Sequence, residues 1–216
     1  MIRVIVRSKP VSNKRIKCIK KLSTKKIILE SKNRDIEYNV DGYFEYIKNK
    51  HLYNLFYDVK LTRSSVLFAY GQSGSGKTHS IFGNSEEPGI LTILCRNMYA
   101  SFGVFYITCY EVYNNVMYDL LDKNNKLKFY SFSNYIDKKK RYIISDVGDY
   151  LNIIDLIIQK RKASATSLNS RSSRSHCVVE IMRGELRYTI IDLAGSEHKK
   201  YDKEKTNVDK HERKSI

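Results

Sequence analysis

Apolar and polar positions follow two rhythms along this chain. Short apolar or period-two runs at 2–6, 26–30, 36–40, 66–70, 104–113, 177–182 and 186–191 predict strands; 118–121 closes the long run, and 126–132 is a further short candidate. Apolar residues at helical spacing predict helices over 51–62 (Leu52, Leu55, Phe56, Val59), 90–100 (Ile90, Leu91, Leu94, Met98) and 150–163 (Leu151, Ile154, Ile157, Ile158). Pro10 ends the first strand, NSEEPG at 84–89 is turn chemistry, and Arg183-Gly184-Glu185 joins the last two strands as a tight hairpin. The first strands make a small antiparallel lobe. Beyond it strands alternate with helices, which predicts an α/β fold: a three-layer α/β sandwich around a mixed central sheet. Residues 198–215 are charged throughout and predict no packed structure.

The apolar run 66–70 reads as a buried strand, and the loop after it carries chemistry. Val66 to Thr78 reads VLFAYGQSGSGKT, the full GxxxxGK(S/T) spacing. A polyphosphate needs inward-pointing backbone N–H groups from a tight loop, and Gly71, Gly74 and Gly76 permit one where a Cβ would crowd the anion. Lys77 then reaches the terminal phosphates, Thr78 offers a hydroxyl to Mg²⁺, and a helix starts there with its positive dipole end toward the anion. The spacing arises by chance in about one in a hundred chains of this composition. A nucleoside triphosphate site follows.

Composition narrows the setting. The chain of 216 residues carries 39 Lys+Arg against 23 Asp+Glu, a net charge of +16, which suits an acidic partner. With 42% hydrophobic and 12% aromatic residues it is not a disordered chain. Cys18, Cys95, Cys109 and Cys177 lie far apart with no CxxC pair, as expected of reduced thiols inside a cell. The N-terminus is too charged for a secretory h-region, and no apolar run approaches membrane-spanning length, so a soluble cytoplasmic or nuclear protein is expected.

Two further segments extend the site. In TIIDLAGSE, 189–197, an apolar strand delivers Asp192 to its carboxyl end, where it can hold a water on Mg²⁺. Gly195 follows in DxxG spacing and can present an N–H to the γ-phosphate. The segment NSRSSRSH, 169–176, reads by itself as a phosphorylation site or linker. Its place just before the hairpin that ends at Asp192 tethers its hydroxyls and guanidinium near the same phosphates.

With these motifs together, the chain resembles the N-terminal part of a kinesin motor domain. FAYGQSGSGKTHSIFG resembles the kinesin phosphate loop, NSRSSRSH its switch I and DLAGSE its switch II, in the family's order. RSKP, 7–10, resembles the adenine-side RxRP motif with Lys9 in place of the second Arg. YEVYNNVMYDLL, 110–121, is similar to the family's central strand segment, with Asn115 where a Glu is usual. The resemblance implies a phosphate-loop nucleoside triphosphatase fold of kinesin type, ATP with Mg²⁺ as cofactors, and a phosphate cradle running from Gly71 to Thr78 that includes Gln72, Ser73 and Ser75. It implies Mg²⁺ on Thr78 and Ser173 with Asp192 acting through water, and Pro10 and His79 flanking adenine with Arg7 nearby. Asn169 and Ser172 would lie at the γ-phosphate, and Arg174 would pair with Glu197 once both switch loops close. The partner it implies is the acidic microtubule, with neither nucleic acid nor membrane expected and the oligomeric state open. The location it implies is the cytoplasm and cytoskeleton, the spindle being one candidate.

LLDKNNKLKF and the SRSSRSH form of switch I lean toward the microtubule-depolymerising kinesins of the kinesin-13 class. The motif resemblance runs from Ile2 to about Glu197, so an incomplete motor domain is expected over 1–197, with a charged segment over 198–216 before a relay helix. A kinesin-like ATPase, coupled to movement or depolymerisation, is the leading expectation. The alternative is a truncated or degenerate motor that binds nucleotide or filament without catalysis. A GTPase switch is disfavoured because no NKxD guanine-reading motif is present.

Overall fold

The computed structural model describes residues 2–9, 19–30, 35–57, 61–122, 126–127, 140–165 and 174–196. Near the N-terminus, β1 (Ile5–Ser8) pairs in parallel with β5 (Gly42–Glu45). Between them β2 (Ile19–Ser23), β3 (Lys26–Leu29) and β4 (Ile36–Asn39) form the antiparallel lobe. The predicted strands 26–30 and 36–40 are present. The first strand, however, starts later than the predicted 2–6. Ile2 and Val4 are exposed, whereas register with Tyr43, itself buried, holds Val6.

Helix α1 (Asn49–Phe56) comes next, then β6 (Ser65–Ala69), α2 (Lys77–Phe82), α3 (Ile90–Phe102), β7 (Phe105–Tyr113), β8 (Val116–Asp119), β9 (Lys126–Leu127) and β10 (Tyr142–Ile144). The chain then forms α4 (Val147–Ala165), β11 (His176–Arg183) and β12 (Leu186–Asp192). The central sheet runs β6-β12-β11-β7-β8-β9, with β10 on the far side of β7. Only the β6–β12 pair in it is parallel, which makes the sheet mixed, as the hairpin predicted.

Two hairpin turns set its register. Asn114 and Asn115 both adopt left-handed φ, 50° and 58°, the turn geometry that matches strand twist between β7 and β8. Gly184, at φ 54°, turns β11 into β12.

Strand alternation divides this sheet into two faces. On one face Leu67, Tyr188, Ile190, Cys177, Val179, Ile181, Phe105, Ile107 and Cys109 join buried residues of all four helices in a single cluster. On the other, Val66, Phe68, Tyr106 and Ile143 are exposed. The α/β class and mixed sheet stand, and of the three expected layers the described residues supply two. This is why β6 is not the buried strand its apolar run predicts. It ends the strand order, and only Leu67 within it is buried.

Helix boundaries shift for local reasons. The predicted helix 51–62 stops at Phe56, where Tyr57 turns extended, and Val59 lies outside the described residues. In α3 the predicted face of Ile90, Leu91, Leu94 and Met98 is buried, and Ile93 and Cys95 are buried with it. Helix α4 starts earlier than predicted because Asp146 and Asp149 cap it reciprocally. Asp149 N–H donates to Asp146 Oδ1 (2.8 Å), and Asp149 Oδ2 accepts from the amides of Ser145 (2.7 Å) and Asp146 (3.1 Å). Its core stripe is Tyr150, Ile153, Ile154, Ile157 and Arg161, while Leu151, predicted inward, is exposed.

Candidate functional site

Inward positions near one end of the sheet hold charge instead of carbon. Continuing the helix-covered face, Ala69, Asp192, Cys177 and Glu111 stand side by side across β6, β12, β11 and β7. Asp192 and Glu111 are each 1% exposed, so each needs partners. Asp192 Oδ2 accepts from Arg161 Nη1 (2.6 Å) and from Thr78 Oγ1 (2.7 Å). Glu111 Oε1 accepts from Ser175 Oγ (2.7 Å). Burial opposes the charge of Arg161, but Cys177, Asp192 and Glu111 outweigh it and hold the guanidinium above its ordinary pKa.

The phosphate loop sits beside this row. Gly71 and Gly76 have φ of 150° and 99°, values an L side chain resists. Gln72, Ser73, Gly74, Ser75 and Thr78 are exposed, so the loop's mouth is open. Lys77 Nζ donates to Gly71 O (2.7 Å) and Gln72 O (2.9 Å), placing its ammonium at the loop's own carbonyls. Lys9 Nζ reaches Gly74 O (3.2 Å), a contact the sequence did not indicate.

Backbone bonds join the segment after β12 to its neighbours. Ser196 N–H donates to Gly71 O (3.1 Å), beside the buried Gly195. Ala194 N–H donates to His176 Nδ1 (3.1 Å), linking the end of NSRSSRSH to DLAGSE. The structure therefore brings together Gly71, Lys77, Thr78, Asp192, His176 and Gly195. Arg174 is described, but its expected partner Glu197 lies outside the described residues, as do Pro10, Asn169, Ser172 and Ser173.

On the expected adenine side, Arg7 Nη1 donates to Asn49 Oδ1 (2.7 Å) and Ser80 Oγ (3.0 Å). Burial lowers the Arg7 pKa, and Glu87 opposes that. Asn49, fully buried, donates through Nδ2 to the carbonyls of His79 (3.1 Å) and Pro88 (3.2 Å). His79 Nε2 lies 3.7 Å from Glu87. Arg7, Ser75, Gly76 and Lys77 also line a cavity beside β1 and β6, whose lining includes neither Thr78 nor Asp192.

Sequence reasoning missed Arg161, Glu111 and Asn49. For the first two a signal existed. Arg161 continues the α4 stripe at i+4 from Ile157, and Glu111 continues the inward positions 105, 107 and 109 of β7. A charge at a core position of a well-patterned element marks a buried pair.

These loops, in this order and on this sheet, can be compared with known proteins. The sequence profile of the kinesin motor domain matches residues 7–216. The chain belongs to the kinesin motor domain family. It is similar to kinesin-like protein KIF14 of Homo sapiens, 33% identical over 169 residues, 62% of this chain and 10% of that protein. It is 34% identical over 158 residues to kinesin-like protein KIN-8B of Arabidopsis thaliana, covering 62% of this chain and 19% of that protein. A solved structure described as "Structure of a fast kinesin: Implications for ATPase mechanism and interactions with microtubules" shares the fold at TM-score 0.80 and 21% identity. That match covers 95% of this chain and 68% of the solved one. This kinesin-family chain thus spans 10% to 19% of the length of those two curated relatives.

A kinesin motor domain implies bound nucleotide with Mg²⁺, and the residues present fit both. Asp192 Oδ1 is buried without a hydrogen-bond partner, and Thr78 Oγ1, which donates to the other oxygen, keeps its lone pairs for a cation. An acceptor left over in a buried carboxylate beside an open phosphate loop suits a metal-bound water.

Proposed function

We propose that this chain binds Mg-ATP in the loop 71–78 and hydrolyses it as part of a microtubule-associated kinesin-like motor. The observation that carries the reading is the Asp192 carboxylate, which takes Thr78 from the phosphate loop and Arg161 from α4 on one oxygen and keeps the other unpaired. Bound Mg²⁺ would neutralise charge developing on the phosphates. Thr78 would hold it directly with Ser173, and Asp192 through water.

The remaining roles fall to the chain's own groups. Lys77 leaves the carbonyls of Gly71 and Gln72 for phosphate oxygens, because a charge-assisted bond to an anion exceeds one to a neutral carbonyl. Gly195 presents its amide to the γ-phosphate, and Asn169 and Ser172 border it. Arg174 pairs with Glu197 on closure and orders the attacking water. Positioning and charge carry phosphoryl transfer, so no strong general base is needed. On the adenine side, Pro10 and His79 flank the base, and Arg7 with Asn49 fixes the backbone at His79.

Steady-state ATP turnover with Mg²⁺, in the chain and in Lys77→Ala, tests this. The variant should lose at least about 100-fold in kcat/KM, the scale of a removed transition-state contact. Equal rates would leave a nucleotide- or filament-binding module without catalysis. Microtubule co-sedimentation at low and high salt tests the partner. The +16 charge predicts binding that weakens with salt, and a salt-insensitive pellet counts against it.

A further inference from the structure

Cys177 of the charged row makes a pair with Cys109, one inward position back along β7, that the nucleotide chemistry does not use. Cys109 and Cys177 are buried on the helix-covered face of β7 and β11, their Sγ atoms 3.7 Å apart. Their register is diagonal: Cys177 stands opposite Glu111, two residues beyond Cys109, and on its other side opposite Asp192. It also follows Ser175 and His176, which are bonded to Glu111 and Ala194. We propose that Cys109 and Cys177 are an oxidisable dithiol, closed to a disulfide by hydroperoxides, and that the bond alters nucleotide binding at the neighbouring site.

A disulfide is about 2 Å long, so the sulfurs need approach by less than about 2 Å, and because a diagonal pair stands farther apart than a directly opposed one the start of β11 must also shift toward β7. The first thiol attacks a peroxide oxygen. An S–O bond forms, the O–O bond breaks, and the thiol proton leaves with the departing oxygen as water or alcohol. The second sulfur then attacks the sulfenic sulfur, S–S forms, S–O breaks, and its proton leaves with hydroxide as a second water. Two thiols are oxidised by two electrons and one peroxide is reduced.

Burial sets the rate, since the pair is reached only when the start of β11 opens. Nucleotide held across Thr78 and Asp192 should slow that opening and protect the pair. Closure would draw Cys177 toward Cys109 and fix the strand from which Ser175 and His176 hold the switch segments. Cys95, also buried and reduced, belongs to α3 and should stay unmodified.

The chemistry and its readout are separable, the second resting on the proposed nucleotide site. The reduced full chain is treated with hydrogen peroxide and then analysed by intact mass and peptide mapping. A 2 Da loss carried by a 109–177 linked peptide is expected, absent in Cys109→Ala and in Cys177→Ala and retained in Cys95→Ala. Oxidation confined to other cysteines, or no linked peptide, overturns the dithiol. Titration with a fluorescent ATP analogue and Mg²⁺ should then show at least a threefold weaker Kd after oxidation, restored by dithiothreitol. Equal Kd for reduced and linked chains overturns the coupling. A reduced chain that binds no nucleotide would instead count against the site, with the mass result still deciding the dithiol.

Discussion

The two faces of the central sheet are made from the same strands, yet they do different work. Neighbours Ile190 and Ile191 belong to one strand; the first is fully buried under the helices and the second is half-buried on the open face. Each face also carries an ion pair. Arg161 and Asp192 meet at 2.6 Å with 5% and 1% of their side chains exposed, while Arg187 and Glu180 lie 3.9 Å apart with 41% and 9% exposed. Residue types alone would rate these pairs alike. Covering by helices turns one into a dry junction that fixes a loop, and without it the other keeps its arginine in solvent and its carboxylate buried beside Thr108, whose Oγ1 donates to Glu180 Oε2 (3.1 Å).

The sharpest way to break the contrast is to cut both pairs. Arg161→Met strands a buried carboxylate and should cost about 3–5 kcal/mol in urea unfolding, whereas Arg187→Met should cost less than about 1 kcal/mol. Adding Asp192→Asn to Arg161→Met should recover part of the loss, because the uncompensated charge is gone. Comparable costs for the two arginines would mean that the open face is covered in solution.

A second cut compares neighbours. Ile190→Ala should lose about 2–5 kcal/mol and Ile191→Ala about 1 kcal/mol or less, measured in the same denaturant series.

What was legible follows from the same contrast. The phosphate loop announces itself because its conformation is set by glycines within a few residues, and Asp192 because an apolar strand leads directly to it. Arg161 was hidden by the habit of reading basic residues near a helix end as a solvated cap, although its spacing from Ile157 places it inward. Ile154 and Ile157 lie inward as expected, but Leu151 is exposed and Tyr150 and Ile153 are buried, because a stripe of period 3.6 shifted by one residue at its start still finds apolar partners. The pairing of β1 with β5 had no local signal, since parallel partners are chosen by the body of the fold. The exposed β6 face had none either, because its sequence reads the same whether or not a layer lies over it.

Smaller effects sharpen the picture. Val66→Lys with Phe68→Ser, both on the open face, should change stability by less than about 0.5 kcal/mol while reducing binding of an apolar dye. A large loss would again mean that this face is covered. Smallest of all is the cap of α4. The Ser145 amide, the Ser145 hydroxyl and the Asp146 amide hold the exposed Asp149 below its ordinary carboxylate pKa. Its contribution is therefore present above the unfolded value and is lost as pH falls through the folded one. The melting temperatures of Asp149→Ala and the parent should differ at pH 7 and converge at strongly acid pH.

The strand order has a bearing on how the molecule is born. Strand β12 slots between β6 and β11, and the contact from Arg187 back to Ser64 spans 123 positions. At about 5–20 residues per second on the ribosome, β6 waits on the order of 6 to 25 seconds for its neighbour. During that interval Val66, Phe68 and Tyr70 project from an unpaired strand next to a finished phosphate loop. Early nucleotide capture cannot rescue it, because Asp192 arrives with the same late strand. The late arrival of β12 therefore predicts that the nascent chain depends on chaperones until residue 192 has emerged.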